Sequence, residues 1–468
     1  MSDHKRAWLQ EECGVVALLH HERVAQDVVR ALSALQHRGQ ESVGVALGDT
    51  RGPLKSMKAL GLVAGAFDQA ELSASSHPFG IGHVRYSTTG DSSLANAQPL
   101  IFESKWGPVG LAHNGNLTNA RRLRAELESQ GCVFQTQLDT EVVAWLVARA
   151  DAPSLRDALV CALEQVQGAW SMVGVSHQGV FGVRDPHGIR PLSIGRRGDS
   201  WGIASESCAL DAVGYTSCED IQPGELRWID ARGTSTSSSP FAPAPPAPCV
   251  FELVYFSRPD SQVFGRDVRR VRTQWGQTLG RSHDVEADVV VGVPLSGMDA
   301  ARGYGQAAGL PVVPALTRHP QAMRTFIEPE GRADKVAQKF QVHPEHVRGK
   351  RVVLVDDSLV RGTTSRHLSH ALRAAGALCV HVRVASPRVT GPCYYGIDTS
   401  RQTTLLASGR TTSQMCAWIG ADSLRFLSRE DMLQALEGSR FCHACFGGAY
   451  PVATHDAVPN APGIVGGT

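Results

Sequence analysis

The densest chemistry in this sequence stands where an apolar run stops. Val352-Val353-Leu354-Val355 leads directly into Asp356-Asp357-Ser358, and Arg361-Gly362-Thr363-Thr364 follows. A short, β-branched, uninterrupted run fits a strand buried on both faces of a parallel sheet, and the apolar spacing from Ser365 to Ala375 fits a helix after it. Backbone N–H groups around Arg361, Gly362, Thr363 and Thr364 would then point from a helix N-terminus at an anion, with Gly362 letting the main chain approach closely. The two acids sit at the carboxyl end of the strand, where open α/β sheets bind ligands, and can hold ribose hydroxyls or a cation that accompanies phosphates. The plainer reading is a helix cap followed by an ordinary turn. It is not a Walker loop, because no Gly-Lys-Ser/Thr follows a glycine at the required spacing.

A second set of reactive side chains lies in the first half. Cys13 precedes Gly14-Val15-Val16, and alone such a cysteine is most often a small packing residue. Downstream come Leu35-Gln36-His37-Arg38-Gly39-Gln40-Glu41-Ser42, Gly82-His83-Val84-Arg85-Tyr86-Ser87-Thr88-Thr89-Gly90, His113-Asn114-Gly115-Asn116-Leu117 and Asp139-Thr140-Glu141. His83 and His113 have no ligand partner at metal spacing and read as structural histidines.

These four blocks, in this order, resemble the N-terminal-nucleophile glutamine amidotransferases. The resemblance implies removal of residues 1–12, so that the Cys13 thiol and a new α-amino group of pKa about 8 share one residue and the amine serves as base. It also implies an oxyanion hole from the Asn114 side chain and the Gly115 backbone N–H. Arg85 would take the α-carboxylate of glutamine, and Asp139 its α-ammonium group.

The Asp356 to Thr364 stretch resembles the signature of phosphoribosyltransferases that use phosphoribosyl pyrophosphate (PRPP). With the string Glu252-Leu253-Val254-Tyr255-Phe256-Ser257-Arg258-Pro259-Asp260-Ser261 between the two halves, the chain is similar to the amidophosphoribosyltransferase family. That family implies glutamine hydrolysis at Cys13 and displacement of pyrophosphate from PRPP by the ammonia, giving phosphoribosylamine for purine synthesis. PRPP contacts would come from Asp356, Asp357, Ser358, Arg361, Gly362, Thr363, Thr364, Arg324 and Lys339, and Mg²⁺ would be held near Ser296, Asp356 and Asp357. Cys249, Cys393, Cys442 and Cys445 match the positions that carry a [4Fe-4S] cluster in one branch of the family, with zinc as the chemical alternative. Purine nucleotides as feedback inhibitors and a homo-oligomer, a tetramer, are further implications. The rival reading is a degenerate paralogue acting as a nucleotide-binding or redox-sensing regulator. Leu138, Leu295, Ala337 and the run Arg318 to Met323 depart from the family pattern, which bears on loop closure and efficiency, and the replaced run Arg318 to Met323 implies weaker coupling between the two reactions.

Positioning these groups takes two domains, which 468 residues supply. A formal net charge of +1 and the absence of a basic block give no field for nucleic acid. No apolar run reaches membrane length and no signal-peptide core is present, so a cytoplasmic protein with reduced cysteines is expected. The expected organisation is a propeptide over 1–12, an αββα amidotransferase sandwich over 13–232, and a Ser/Pro-rich linker over 233–248. A parallel-sheet phosphoribosyltransferase domain over 249–450 and a loose tail over 451–468 follow. Within the last domain, a helix is expected at Val268 to Leu279 and a mobile loop from Thr317 to Val342. Arg190 reads as a turn residue with no catalytic role, and Cys132, Cys161, Cys208, Cys218, Cys379 and Cys416 read as packing residues.

Overall fold

A computed structural model of the chain describes residues 11–19, 23–87, 93–318, 340–397, 399, 404–437 and 440–454. Two compact units emerge, one of Met1–Pro248 with Tyr394–Asp398 and Tyr450–Thr468, the other of Cys249–Cys393 with Thr399–Ala449.

The strands of the first unit are, in chain order, β1 (Glu11–Leu19), β2 (Ser42–Gly48), β3 (Lys55–Leu60), β4 (Phe79–Ser87), β5 (Leu100–Ser104), β6 (Gly107–Leu117), β7 (Gly168–Ser176), β8 (Gly179–Arg184), β9 (Ser193–Arg197), β10 (Ser200–Ala204), β11 (Thr216–Asp220), β12 (Leu226–Asp230) and β13 (Ser235–Ser238). They make a seven-stranded sheet, β11-β9-β10-β1-β4-β2-β3, and a six-stranded sheet, β13-β12-β8-β7-β6-β5. Strand residues alternate between two faces, and each face finds its own core. Val15, Ala17, Leu19, Ile81, Ala112, Val173 and Val175 fill the space between the sheets. Val16, Leu18 and Val84 turn outward onto Val24, Val28 and Leu32 of the helix Val24–Ala34. Leu111, Trp170 and Met172 of the other sheet turn outward onto Val143 and Leu159 of the helices Thr140–Arg149 and Leu155–Leu163. The result is the αββα sandwich.

The second unit is built on a four-stranded sheet of β16 (Val289–Gly292), β19 (Arg351–Asp356), β20 (Cys379–Val384) and β21 (Ser423–Phe426), every neighbour parallel. Its two-stranded companions are β14 (Gln262–Val263) with β15 (Arg266–Asp267) and β17 (Leu316–Arg318) with β18 (Phe340–Val342). Val352, Val353, Leu354 and Val355 are all fully buried, as expected of a strand covered on both faces. The helix expected at Val268 to Leu279 forms over Val268–Arg281, and the one after the acids over Thr363–Ala374.

Several expectations need correction. Residues 233–248 are not a free connector: β13 adds to the edge of the second sheet by pairing with β12, and Phe241 packs edge-on against Trp170 with ring centroids 5.4 Å apart. The prolines begin only after β13, at Pro240, so the serine run keeps the N–H groups an edge strand needs. The unit boundary still falls at Pro248 and Cys249. Arg190 is buried, its Nε donating to the Tyr395 carbonyl at 3.0 Å. The tail starts tethered, because the Tyr395 hydroxyl donates to the Val452 carbonyl at 2.6 Å and accepts from its N–H at 3.0 Å. Cys161 is exposed instead of packed. The ends of the expected loop are strand: Leu316 pairs with Val342 and Arg318 with Phe340, while Arg324, Lys339 and Ala337 lie outside the described residues.

Candidate functional site

In the first unit, sheet register assembles what the sequence scatters. Cys13 faces Arg85 across β1 and β4, and Arg85 faces Ser42 across β4 and β2. Cys13 shares its side of β1 with Val15 and Ala17, so the row Cys13-Arg85-Ser42 looks into the space between the sheets. Asn114, two residues from Ala112 on β6, looks into the same space from the opposite sheet. Cys13 and Asn114 are fully buried and Arg85 nearly so. Neither polar atom of the Asn114 amide has a hydrogen-bond partner. A buried amide without partners is costly and suited to a ligand that brings its own oxygen. Gly115 holds φ +146°, and a Cβ there would meet the Ala169 carbonyl oxygen at 2.0 Å, so only glycine lets β6 pass β7 at this point.

Asp139 lies at the N-terminus of the helix Thr140–Arg149 and is already engaged. Its Oδ2 accepts from Leu117 N–H at 2.9 Å, and its Oδ1 is 3.3 Å from His113 Nδ1. Burial disfavours its ionisation, but the His113 imidazole and these hydrogen bonds outweigh that and hold its pKa below the usual carboxylate value. Burial drives the His83 imidazole down to about 3, against the hydrogen bond of its Nε2 with the His113 carbonyl. Burial thus keeps the His83 imidazole neutral. Tyr86 to Gly90 contribute no described side chains.

Three participants in this region carried no role in the sequence reading. Arg38 Nε donates to the Cys13 carbonyl at 2.9 Å, its Nη1 donates to Glu206 Oε1 at 2.6 Å, and Ser205 Oγ accepts from Val15 N–H at 3.0 Å. Arg38 stands in the block Leu35 to Ser42, but Glu206 lies 168 positions away and only the fold joins them.

In the second unit, β19 delivers Asp356 and Asp357, both buried, to the carboxyl end of the sheet. The loop after β16 runs beside it, Val293 N–H donating to the Val355 carbonyl at 2.9 Å. That places Ser296, whose Oγ donates to Asp357 Oδ1 at 2.7 Å, while Ser358 Oγ donates to Oδ2 at 2.8 Å. The peptide between Pro294 and Leu295 is cis, and the Leu295 side chain is exposed. Burial and then the neighbouring Asp357 charge push the Asp356 carboxyl well above its ordinary pKa. Two buried carboxylates side by side repel unless a cation sits with them, so the donor set of Asp356, Asp357 and Ser296 fits a hard divalent ion. Gly362 caps the helix Thr363–Ala374 at φ +76°, where a Cβ would meet Leu406 Cδ2 at 2.6 Å and the Trp418 ring at 2.8 Å. Arg361 and Thr364 are half-buried and Thr363 is exposed at this helix start.

The four matched cysteines converge in this unit. Cys249 and Cys442 form a parallel bridge, Val250 N–H donates to the Cys442 carbonyl at 3.1 Å, and Cys445 O accepts from Thr390 N–H at 2.9 Å and Gly391 N–H at 3.1 Å. Burial and then the charges of Cys249, Cys393 and Cys442 push the Cys445 thiol well above its ordinary pKa, so each of these three lies within electrostatic reach of Cys445. No group of three or more His, Cys, Asp or Glu among the described residues is closed to metal-holding spacing. Four neighbouring, largely buried thiols with no carboxylate among them suit iron–sulfur or zinc better than a hard ion.

Residues 83–212 match the glutamine amidotransferase domain family. The chain is 43% identical over 470 residues to amidophosphoribosyltransferase 2, chloroplastic, of Arabidopsis thaliana, covering 98% of this chain and 83% of that one. It is 42% identical over 453 residues to the amidophosphoribosyltransferase of Bacillus subtilis strain 168, covering 95% and 94%. Among solved structures, the glutamine PRPP amidotransferase of B. subtilis complexed with ADP and GMP superposes with a TM-score of 0.88 at 41% identity, covering 94% of this chain and 98% of that one.

Proposed function

Because the chain belongs to the amidophosphoribosyltransferase family, we propose that its two sites divide the reaction between Cys13 and the Asp356–Asp357 loop. The overall activity is glutamine-dependent amidotransfer to PRPP, the first step of purine biosynthesis, and the regulator reading is not favoured. The observation that carries the division of labour is the buried acid pair beside a Gly362-capped helix start, in one chain with the Cys13-Arg85-Ser42 row.

At the first site, Cys13 becomes the N-terminal residue and its α-amino group takes the thiol proton. The thiolate attacks the glutamine amide, and the unpartnered Asn114 side chain with the Gly115 N–H receives the oxyanion. The Arg85 guanidinium fixes the α-carboxylate, and Asp139, held ionised, faces the α-ammonium group. The adduct collapses with cleavage of the C–N bond, the α-ammonium group of Cys13 returning its proton to the departing ammonia, and water then cleaves the Cys13 thioester to release glutamate.

At the second site, the helix start from Arg361 to Thr364 cradles phosphate with backbone N–H groups, and the acids and Ser296 orient the ribose end and the cation. Mg²⁺ bound there would neutralise the leaving pyrophosphate as the ribosyl carbon becomes cationic. Arg324 and Lys339 add pyrophosphate contacts by family resemblance, and the altered run Arg318 to Met323 weakens the coupling of hydrolysis to synthesis. Cys249, Cys393, Cys442 and Cys445 hold a [4Fe-4S] cluster that supports the fold away from the reacting atoms. Purine nucleotides are the expected feedback inhibitors, and the B. subtilis relative binds ADP and GMP. The working assembly is a homo-oligomer in the cytoplasm. No helix among the described residues is long and apolar enough to cross a membrane.

The test compares nitrogen sources. Cys13→Ala should abolish pyrophosphate release with glutamine and leave it with ammonia. Retained glutamine use would remove Cys13 from the mechanism.

A further inference from the structure

We infer that Glu206 is a positioning residue for the glutamine-cleaving nucleophile, acting through Arg38. The inference rests on the reading of Cys13 as that nucleophile. β1 is paired along its whole length with β4, but its ladder with β10 pairs Val16 with Ala204 and continues only away from Cys13. Past that point the β10 side of β1 is served by Ser205 and by the Arg38 side chain. Ser205 takes Val15, its Oγ accepting from Val15 N–H at 3.0 Å while its own N–H donates to the Val15 carbonyl at 3.0 Å. Arg38 takes Cys13, Nε donating to the carbonyl at 2.9 Å.

Glu206 supplies that guanidinium with a buried counter-charge. The Arg38 side chain is 3% exposed and that of Glu206 0%, at an Nη1 to Oε1 distance of 2.6 Å. A buried cation without its partner carries a large desolvation penalty. Glu206 is itself anchored by more than the arginine. Its Oε1 lies 2.7 Å from His37 Nε2, whose Nδ1 is 3.1 Å from the Ala34 carbonyl, and Cys208 Sγ reaches Oε2 at 3.7 Å. Helix end, three-residue turn and the segment after β10 are therefore tied together at one carboxylate, and the tie ends on the main chain of Cys13.

That tie gains weight when the chain begins at Cys13. A terminal residue loses the peptide on its N-terminal side and tends to fray, so the Cys13 carbonyl becomes the near point at which its position is set. A displacement of about 1 Å at a reacting group can cost on the order of 100-fold in rate. Glu206 touches no substrate in this account. It keeps Arg38, and hence the thiol, where glutamine can be attacked.

The experiment measures glutaminase kcat and glutamine KM, together with ammonia-dependent synthesis, in Glu206→Gln, Arg38→Lys and the double variant. Each protein has its N-terminus established by intact mass. Glu206→Gln should lower glutaminase kcat about 10- to 100-fold with KM changed less than about threefold, the pattern of a lost transition-state arrangement. Ammonia-dependent synthesis should stay within about twofold, and the double variant should be no worse than the poorer single, since residues acting as one unit are not additive. Four results would overturn the inference: an unchanged kcat, equal losses with both nitrogen sources, multiplicative effects in the double variant, or an N-terminus different from the parent's. Cys13→Ala run alongside separates the cases. If it retains glutamine use, the reading of the nucleophile has failed; if it does not, any failure belongs to Glu206 alone.

Discussion

Asn114 offers a prediction in which stability and activity move in opposite directions. Its side chain is fully buried and both amide atoms lack partners. Each such atom costs roughly 1–3 kcal/mol, so truncation to alanine removes roughly 2–6 kcal/mol of penalty from the empty protein. The vacated space, about 40 Å³, costs about 1 kcal/mol in return at about 24 cal/mol per Å³. Asn114→Ala should therefore be more stable than the parent by about 1–5 kcal/mol in urea unfolding without ligand. Glutamine hydrolysis should fall by about 10²- to 10³-fold in kcat, because the amide donor to the oxyanion is gone. Ammonia-dependent synthesis reports on the second unit and should persist. A variant that is less stable by more than roughly 1 kcal/mol, a typical loss for an ordinary core substitution, and that still hydrolyses glutamine would refute the reasoning.

Acid should find His83. Its folded pKa of about 3 lies below the ordinary 6.5, so the unfolded chain takes up a proton that the folded one refuses. The stability this represents is complete above pH 6.5 and is lost at about 1.4 kcal/mol per pH unit below it. Between pH 7 and 5, His83→Gln should show about 2 kcal/mol less acid destabilisation than the parent, and equal slopes would count against it. Gly362→Ala combines a positive-φ penalty of about 1–2 kcal/mol with crowding worth about 1–3 kcal/mol against Leu406 and Trp418. It should raise the PRPP KM at least tenfold, on the order of 1.4 kcal/mol, and leave basal glutamine hydrolysis alone; unchanged PRPP kinetics would remove Gly362 from the cradle. Protein purified without oxygen should contain iron and sulfide, and Cys445→Ser should lower the unfolding midpoint more than turnover per folded molecule. A colourless, fully active protein holding one zinc would sink the cluster assignment.

The legible parts of this molecule were those encoded locally. Val352 to Val355 reads as a doubly buried strand because nothing polar interrupts it, and the acids, glycine and threonines after it keep one register with the observed loop. Cys13, Arg85 and Asn114 could be singled out by type, but their convergence depends on cross-strand register and on two sheets facing each other, which no local spacing encodes. The Arg38 to Glu206 contact was invisible for the same reason. Ser235 to Ser238 escaped notice because a polar run shows no alternation, even though an edge strand needs only hydrogen bonds on one side. Arg190 was misjudged because a partner of its buried guanidinium is a carbonyl 205 positions later in the chain.

That last contact bears on how the protein can be made. Asn116 Nδ2 donates to the Tyr394 carbonyl at 2.8 Å, Arg190 Nε to that of Tyr395 at 3.0 Å, and Tyr395 in turn holds Val452. All of these partners belong to the first unit. A ribosome that has finished Pro248 has therefore not finished this unit, whose buried guanidinium waits for a carbonyl translated some 200 residues, or on the order of 10–40 s, later. A fragment ending at Pro248 should accordingly fold poorly as a stand-alone glutaminase. Adding a peptide that spans Tyr394 to Asp398 is the direct way to ask how much of the deficit those few residues repair.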